Sequence, residues 1–405
     1  MILDSGAHWA GWILGWGMRA IAFASLLFPG AAVRADAPAT GPTTIPAAAA
    51  RLVKILAPGA LWLGESDRDG IVIVAQQGVE AYHLSVYGLD GDGEIVAGEP
   101  QRIRLPWPES LKQFRHCALC VAFHPKLPLA YIWHDIDSAQ ANRPESFSAY
   151  AELNHVLVFS IDGGKLTQKG AFCPGDKCIN GTAYASLALD GPKGERLFVP
   201  HLRNPANGSG GIGYFDLDEK GMPRAAESGV ADAAGVEVKP VFIDAPTTGM
   251  GFIAINKNLL MFARTYGLEL WDIENRRGAL GSVTLPGNET GNVFIAGDPA
   301  FPRVLAVTQG QGWVYSMDQV DGYPTGLPQR LGFNAIPFES APAIMLGKAN
   351  RMAVGAVNAV HILGLDGEGR ITQLLESITL SSSLTRAVGY SRKHDRLYVA
   401  VEKNP

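Results

Sequence analysis

Apolar residues along this chain fall in short runs separated by Gly, Asn, Asp and Pro, and six of the runs end in one recurring phrase. The phrase is an aromatic or apolar residue, any residue, an apolar residue, then usually an acid. Its copies are Tyr87-Gly88-Leu89-Asp90, Phe159-Ser160-Ile161-Asp162, Phe215-Asp216-Leu217-Asp218, Trp271-Asp272-Ile273-Glu274, Tyr315-Ser316-Met317-Asp318 and Leu363-Gly364-Leu365-Asp366. The acids follow one another at intervals of 72, 56, 56, 44 and 48 residues. Each copy sits in a longer unit, clearest from Gly251 to Leu285. There Gly251–Ile255, Leu259–Ala263, Leu268–Ile273 and Leu280–Leu285 read as four strands joined by turns. The first two runs are almost wholly apolar, as expected of strands covered on both faces. The third alternates, as expected nearer a rim.

Strand-built repeats of this length predict an all-β chain folded as a β-propeller. The predicted blades run over about 60–105, 117–172, 182–242, 251–285, 292–333 and 341–380. Ser383–Tyr390 and Arg396–Val401 read as the first two strands of a seventh, incomplete blade. Arg51–Leu56 is the segment available to add a strand to it. One strand is still lacking, so the expectation is either a thin last blade or a natural chain that continues past Pro405, the second being favoured. The domain reading is therefore residues 1–35 as a signal, 36–50 as a flexible leader and 51–405 as the propeller.

Composition supports a turn-rich β chain, with 47 Gly and 26 Pro. A net charge of −5 with 18% charged residues leaves no basic surface to argue for nucleic acid as a partner. Near the N-terminus, Met18-Arg19, the apolar run Ala20–Phe28 and Val33-Arg34-Ala35 have the order of a secretory signal cleaved before Asp36. Residues 1–17 lie upstream of it and fit a start codon placed too early. The alternative is an uncleaved anchor, since Trp9–Val33 is apolar apart from Arg19 and long enough to span a bilayer. A membrane enters only on that alternative. The signal implies a periplasmic or secreted protein.

Export bears on the four cysteines, Cys117, Cys120, Cys173 and Cys178, because disulfides are the default there. Cys173 and Cys178 close a tight loop and are the expected pair. Within a straight strand Cys117 and Cys120 would lie roughly 10 Å apart, too far for a bond. A turn at the strand start or cross-pairing would be needed. Zinc is the weaker alternative, with His116 beside Cys117-x-x-Cys120. No metal or cofactor is expected.

Candidate chemistry lies where the second strand of each unit ends. Those positions hold Gln76 and Gln77, His134 and Asp135, His201 and Arg203, Arg264, Thr308 and Gln309, Asn358, and Glu402. If the registers agree, they converge on one mouth of an axial channel. Arg203 and Arg264 would bind an anionic group bidentately. Gln76, Gln309 and Asn358 would complete a ligand-binding rim. His134 or His201 would act as general base on water. The plainer reading is that exposed strand ends are polar in any protein. The segment 135–154 is a long insertion of the kind that forms lids or contact surfaces.

Val121-Ala122-Phe123-His124-Pro125 with Leu129-Ala130-Tyr131-Ile132 resembles a phrase of lactonase-type seven-bladed propellers, the 6-phosphogluconolactonase-like group. Val156–Leu166 resembles their third-to-fourth strand hairpin, and Ile362–Ile371 repeats it. The resemblance implies hydrolysis of a small anionic or sugar-derived lactone at the mouth. No catalytic constellation of that family matches residue by residue. A non-catalytic propeller binding a small molecule or another protein in the cell envelope is the alternative.

Overall fold

In the computed structural model of this chain, every regular element among the described residues is a strand. Described are residues 51–77, 82–105, 116–136, 156–173, 188–189, 194–203, 210–224, 231–232, 235–237, 241–243, 253–256, 259–264, 267–272, 277–284, 293–297, 303–308, 313–318, 329–331, 343–346, 350–356, 358–380 and 383–403. Over much of 200–308 only the backbone is described. The signal, the leader and most of the 135–154 insertion lie outside these residues. The strands belong to one unit, Ala47–Pro405.

The described strands form seven sheets. Sheet 1 holds Ala60–Ser66, Ile71–Gln77, Tyr82–Gly88 and Gln101–Arg104. Sheet 2 holds His116–Phe123, Leu129–Ile136, Val156–Asp162 and Lys165–Cys173, extended by Gly235–Glu237 and Ala231–Asp232. Sheet 3 holds Ala188–Leu189, Arg196–Arg203, Gly210–Asp216 and Val241–Ile243. Sheet 4 holds Ile253–Asn256, Leu259–Arg264, Gly267–Asp272 and Arg277–Thr284. Sheet 5 holds Val293–Gly297, Arg303–Thr308, Trp313–Asp318 and Gln329–Arg330. Sheet 6 holds Ala343–Leu346, Arg351–Ala356, Ala359–Leu365 and Ile371–Thr379. Sheet 7 joins Ser383–Ser391 and Arg396–Lys403 to Arg51–Leu56.

The first strand of each sheet touches the first strand of the next, and the series returns from Ser383–Ser391 to Ala60–Ser66. This cyclic order of antiparallel meanders is a propeller. The strand pattern explains its core. Successive side chains of a strand point to opposite faces, so one strand feeds two inter-sheet layers. Ile71 and Ile73 pack towards sheet 2 with Val121, Ile132 and Phe159. Val72 and Val74 pack towards sheet 7 with Val53, Ile55 and Tyr398. Likewise Tyr131 and Trp133 join Leu197 and Phe215 of sheet 3.

Sheet 7 takes the strand Arg51–Leu56 as expected, and the pairing is parallel. Arg51–Leu56 runs parallel to Arg396–Lys403, with Leu52 opposite Leu397 and Ile55 opposite Ala400. The connector Ala57-Pro58-Gly59 supplies the reason. It joins the end of this strand directly to the innermost strand of sheet 1. An antiparallel strand would end at the other face, roughly 20 Å away along the sheet, whereas three residues reach about 10 Å. The connector is fixed by Ala57 N–H to Val401 O at 2.9 Å and Gln77 N–H to Gly59 O at 2.8 Å. Gly59 has φ +67°, and a Cβ there would fall on the Gln77 carbonyl oxygen.

In three copies of the repeated phrase the acid has a structural task. Asp90 Oδ1 accepts from the amides of Asp92 and Glu94. Asp218 Oδ1 accepts from Lys220 and Met222, and Asp366 Oδ1 from Glu368 and Arg370. In each case the fourth residue of the turn is a glycine at positive φ, Gly93, Gly221 or Gly369. The acid thus closes the hairpin between third and fourth strands as an Asx turn. Asp90-Gly91-Asp92-Gly93-Glu94, which resembles a fragment of a calcium loop, is one of these turns.

Candidate functional site

The second strands of the sheets all end on one face of the ring, opposite the Asx turns. Arg203 and Arg264 are the last residues of the second strands in neighbouring sheets 3 and 4. Each stands opposite a glycine, Arg203 across from Gly210 and Arg264 across from Gly267. His134 pairs in register with Leu119 near the end of its strand. His201 lies in an interruption of the ladder between Val199 and Leu202. Pro200 brings no N–H to that ladder, which accounts for the irregularity. Bulges of this kind bend a strand and redirect its side chains. The backbone therefore brings all four positions to one rim. Gln309 lies outside the described residues.

The rim residues with described side chains are tied into the fold. Gln76 is buried; its Oε1 accepts from Ser85 Oγ at 2.5 Å, and its Nε2 donates to Pro58 O at 3.2 Å. It was expected to face a ligand. Instead it braces the connector between sheets 7 and 1, because a buried amide must satisfy both of its ends. Glu402 pairs with Arg386 at 2.7 Å. Arg386 occupies the register shift between Thr385 and Ala387 in the innermost strand of sheet 7. Asn358 is exposed in the turn after Arg351–Ala356, and its carbonyl accepts from Leu380 N–H at 2.8 Å.

The remaining histidines separate by position. His124 is buried, and its Nδ1 accepts the amides of Lys126 and Leu127 at 3.0 and 2.9 Å. The ring nitrogen thereby caps the first hairpin of sheet 2, so the His-Pro phrase serves the fold. Its neighbour Tyr131 donates to Gly221 O at 2.7 Å. Burial, helped by the Asp218 charge, pushes the Tyr131 phenol well above its usual range. His361 is half-buried, with Nδ1 3.0 Å from Ser377 Oγ, and burial lowers its affinity for a proton.

Cys117 and Cys120 belong to one strand, His116–Phe123, with Cys120 opposite Trp133. Cys173 ends the strand Lys165–Cys173 and is opposite Glu237, and Cys178 lies outside the described residues. Among the described residues no group of three or more His, Cys, Asp and Glu is arranged to hold a metal ion. No helix among them is long and apolar enough to cross a membrane.

No protein family matches the chain, and no curated protein does. Solved structures do. A protein from Lactobacillus plantarum is 13% identical, with TM-score 0.51, over 80% of this chain and 87% of that one. Hydrazine synthase of Kuenenia stuttgartiensis is 12% identical, with TM-score 0.52, over 87% of this chain and 97% of that one. At such identities the likeness bears on the fold alone.

Proposed function

We propose that this chain is an exported propeller that binds a small anionic or polyhydroxylated ligand at the rim formed by the second-strand ends. The observation that supports this most directly is the paired Arg/Gly register of Arg203 with Gly210 and Arg264 with Gly267 in adjoining sheets. Two arginines at the ends of corresponding strands in adjoining sheets, each in register with a glycine, are residue types that suit a carboxylate or phosphate. Gln76 and the Arg386–Glu402 pair support the reading as well. They brace the rim through partners inside the fold, which favours a preformed site over one assembled by the ligand.

Titration with inorganic phosphate, a sugar acid and its lactone, followed by calorimetry, tests it. Arg203→Ala and Arg264→Ala should each weaken binding by about 2–5 kcal/mol. Unchanged affinity in both variants, or no binding of any probe by folded protein, would defeat the proposal.

Lactone hydrolysis is the second reading, favoured by His201 at the strand irregularity beside Arg203. In that case His134 or His201 activates water while the arginines hold the anionic group. Loss of the base should lower turnover on the order of 10²–10⁴-fold, with the rate rising as imidazole deprotonates between about pH 5 and 8. Ligand binding without turnover on a lactone panel would leave the binding role standing alone.

A further inference from the structure

Chain connectivity leaves one non-covalent junction in the ring. Sheet 7 is built from both ends of the described chain, and its C-terminal hairpin, Ser383–Lys403, docks on the strand Ala60–Ser66 without passing into it. The junction is fastened on the Asx-turn face, away from the ligand rim. The Asp67 carboxylate accepts from the hydroxyl of the fully buried Ser391 and from Lys393 N–H. Ser391 Oγ in turn accepts from His394 N–H at 3.1 Å. Arg396 reaches back to Glu94 Oε1 at 2.6 Å and Asp92 O at 3.0 Å, and Tyr398 donates to Gly93 O at 2.8 Å. A Cβ at Gly93 would come within 2.6 Å of His394 Cβ, so sheet 1's hairpin and sheet 7's turn are in close contact.

Inside this fastening sits one carboxyl with no opposite charge bound to it by the contacts above. Glu65 is two residues beyond Leu63 on an unbroken stretch of strand and shares its face. Leu63 packs in the layer containing Tyr398 and Val72. Glu65 therefore faces sheet 7, between its own neighbour Asp67 and the Tyr398 phenol, with Arg392 as the attractive charge from the facing turn. The other charged groups of the two facing turns are Arg396 paired with Glu94, Asp395 paired with Arg351, Arg68 paired with Asp69, and Asp92, Lys393 and His394.

We propose that this junction is a proton-operated clasp, closed while Glu65 is neutral and loosened when Glu65 ionises beside Asp67. A neutral carboxyl leaves the half-buried Asp67 as the one negative charge that Ser391 and the Lys393 amide satisfy. A second carboxylate two residues away places like charges in the same half-buried seam, where they repel. The result is release of the Ser391–Lys393 turn, and with it the hairpin Ser383–Lys403 and its partner Arg51–Leu56.

The proton affinities agree in direction. Burial, then the Asp67 charge, raises the Glu65 carboxyl to about 8, against the smaller opposing effects of the Asp67 amide and Arg392. An acid raised in the folded state stabilises it fully below its ordinary value. That contribution falls as pH rises and levels off above about 8. The clasp is thus closed in acid and loosened in mild alkali.

Hydrogen exchange on the full chain, corrected for the intrinsic rate at each pH, reads this directly. Between pH 6 and 8, protection of Ser383–Lys403 and Arg51–Leu56 should fall by on the order of tenfold or more. Protection of Leu129–Ile136 in sheet 2 should hold. Glu65→Gln, which keeps the neutral shape, should abolish the fall. An equal fall in Glu65→Gln, a flat wild-type profile, or a loss uniform over all sheets would overturn the proposal. If Glu65→Gln does not fold, Asp67→Asn decides. Removing that charge should move the levelling-off to lower pH, and an unmoved profile would overturn the clasp.

Discussion

At the scale of single residues, the repeated acids and two polar strand ends act differently from what their chemistry suggests in isolation. Asp90, Asp218 and Asp366 hold backbone amides, and that explains the acid in those three copies of the repeated phrase. At Asp366 burial opposes ionisation, but the amides of Arg370 and Glu368 and the Arg370 guanidinium outweigh it and hold the carboxyl below its ordinary range. At Asp90 the amides of Glu94 and Asp92 do the same. A carboxyl lowered in the folded state stabilises it above its ordinary value and loses that effect as pH falls below about 4. Asp366→Ala should cost about 1–2 kcal/mol in urea unfolding at pH 7, from two lost amide bonds, and progressively less as the pH falls below about 4. Gly59 makes a sharper prediction. Gly59→Ala must place a side chain at positive φ against the Gln77 carbonyl, so a loss of about 1–3 kcal/mol is expected by the same measurement.

At the scale of elements, Arg51–Leu56 carries the most information. Its alternation places Val53 and Ile55 in the layer between sheets 7 and 1, while Lys54 and Leu56 face outwards. Ile55→Ala should therefore cost about 2–4 kcal/mol, read from the shift in urea midpoint at constant slope. Lys54→Ala should cost less than Ile55→Ala, because Lys54 is exposed and its Nζ to Leu380 O bond is long, at 3.3 Å. The sequence showed that this segment was a strand and that it had a place to go. Its parallel direction was not legible in the pattern, since an alternating strand reads the same forwards and backwards. The three-residue connector decided it.

At the scale of the whole molecule, stability is spread over layers between sheets, each built from alternate residues of two strands. No single layer closes the ring, but the layer between sheets 7 and 1 joins segments more than 300 residues apart, Ala60–Ser66 and Ser383–Ser391, rather than consecutive sheets. Opening there should precede opening elsewhere, and the pH-dependent exchange predicted for Ser383–Lys403 is the measurement that separates this junction from the rest. The proposed ligand rim is on the other face, so loss of the clasp and loss of the proposed binding are independent outcomes.

What the sequence determined by itself was the set of strands, their order and the propeller architecture, because period-two alternation, apolar runs and turn residues are local signals. It also brought Arg203, Arg264, His134 and His201 to the same end of their strands. Tertiary structure decided how side chains were used. Gln76 and Glu402 looked like rim groups, yet their partners come from Ser85, Pro58 and Arg386, and such pairings depend on which strands lie side by side. Glu65 had no signal at all. A glutamate in an inner strand becomes a proton-sensitive group only when Asp67, Tyr398 and the Ser391–Lys393 turn close around it, and those residues are more than 320 positions apart in the chain for the Asp67–Ser391 contact. Burial and charge are properties of the assembled seam, and a linear pattern does not contain them.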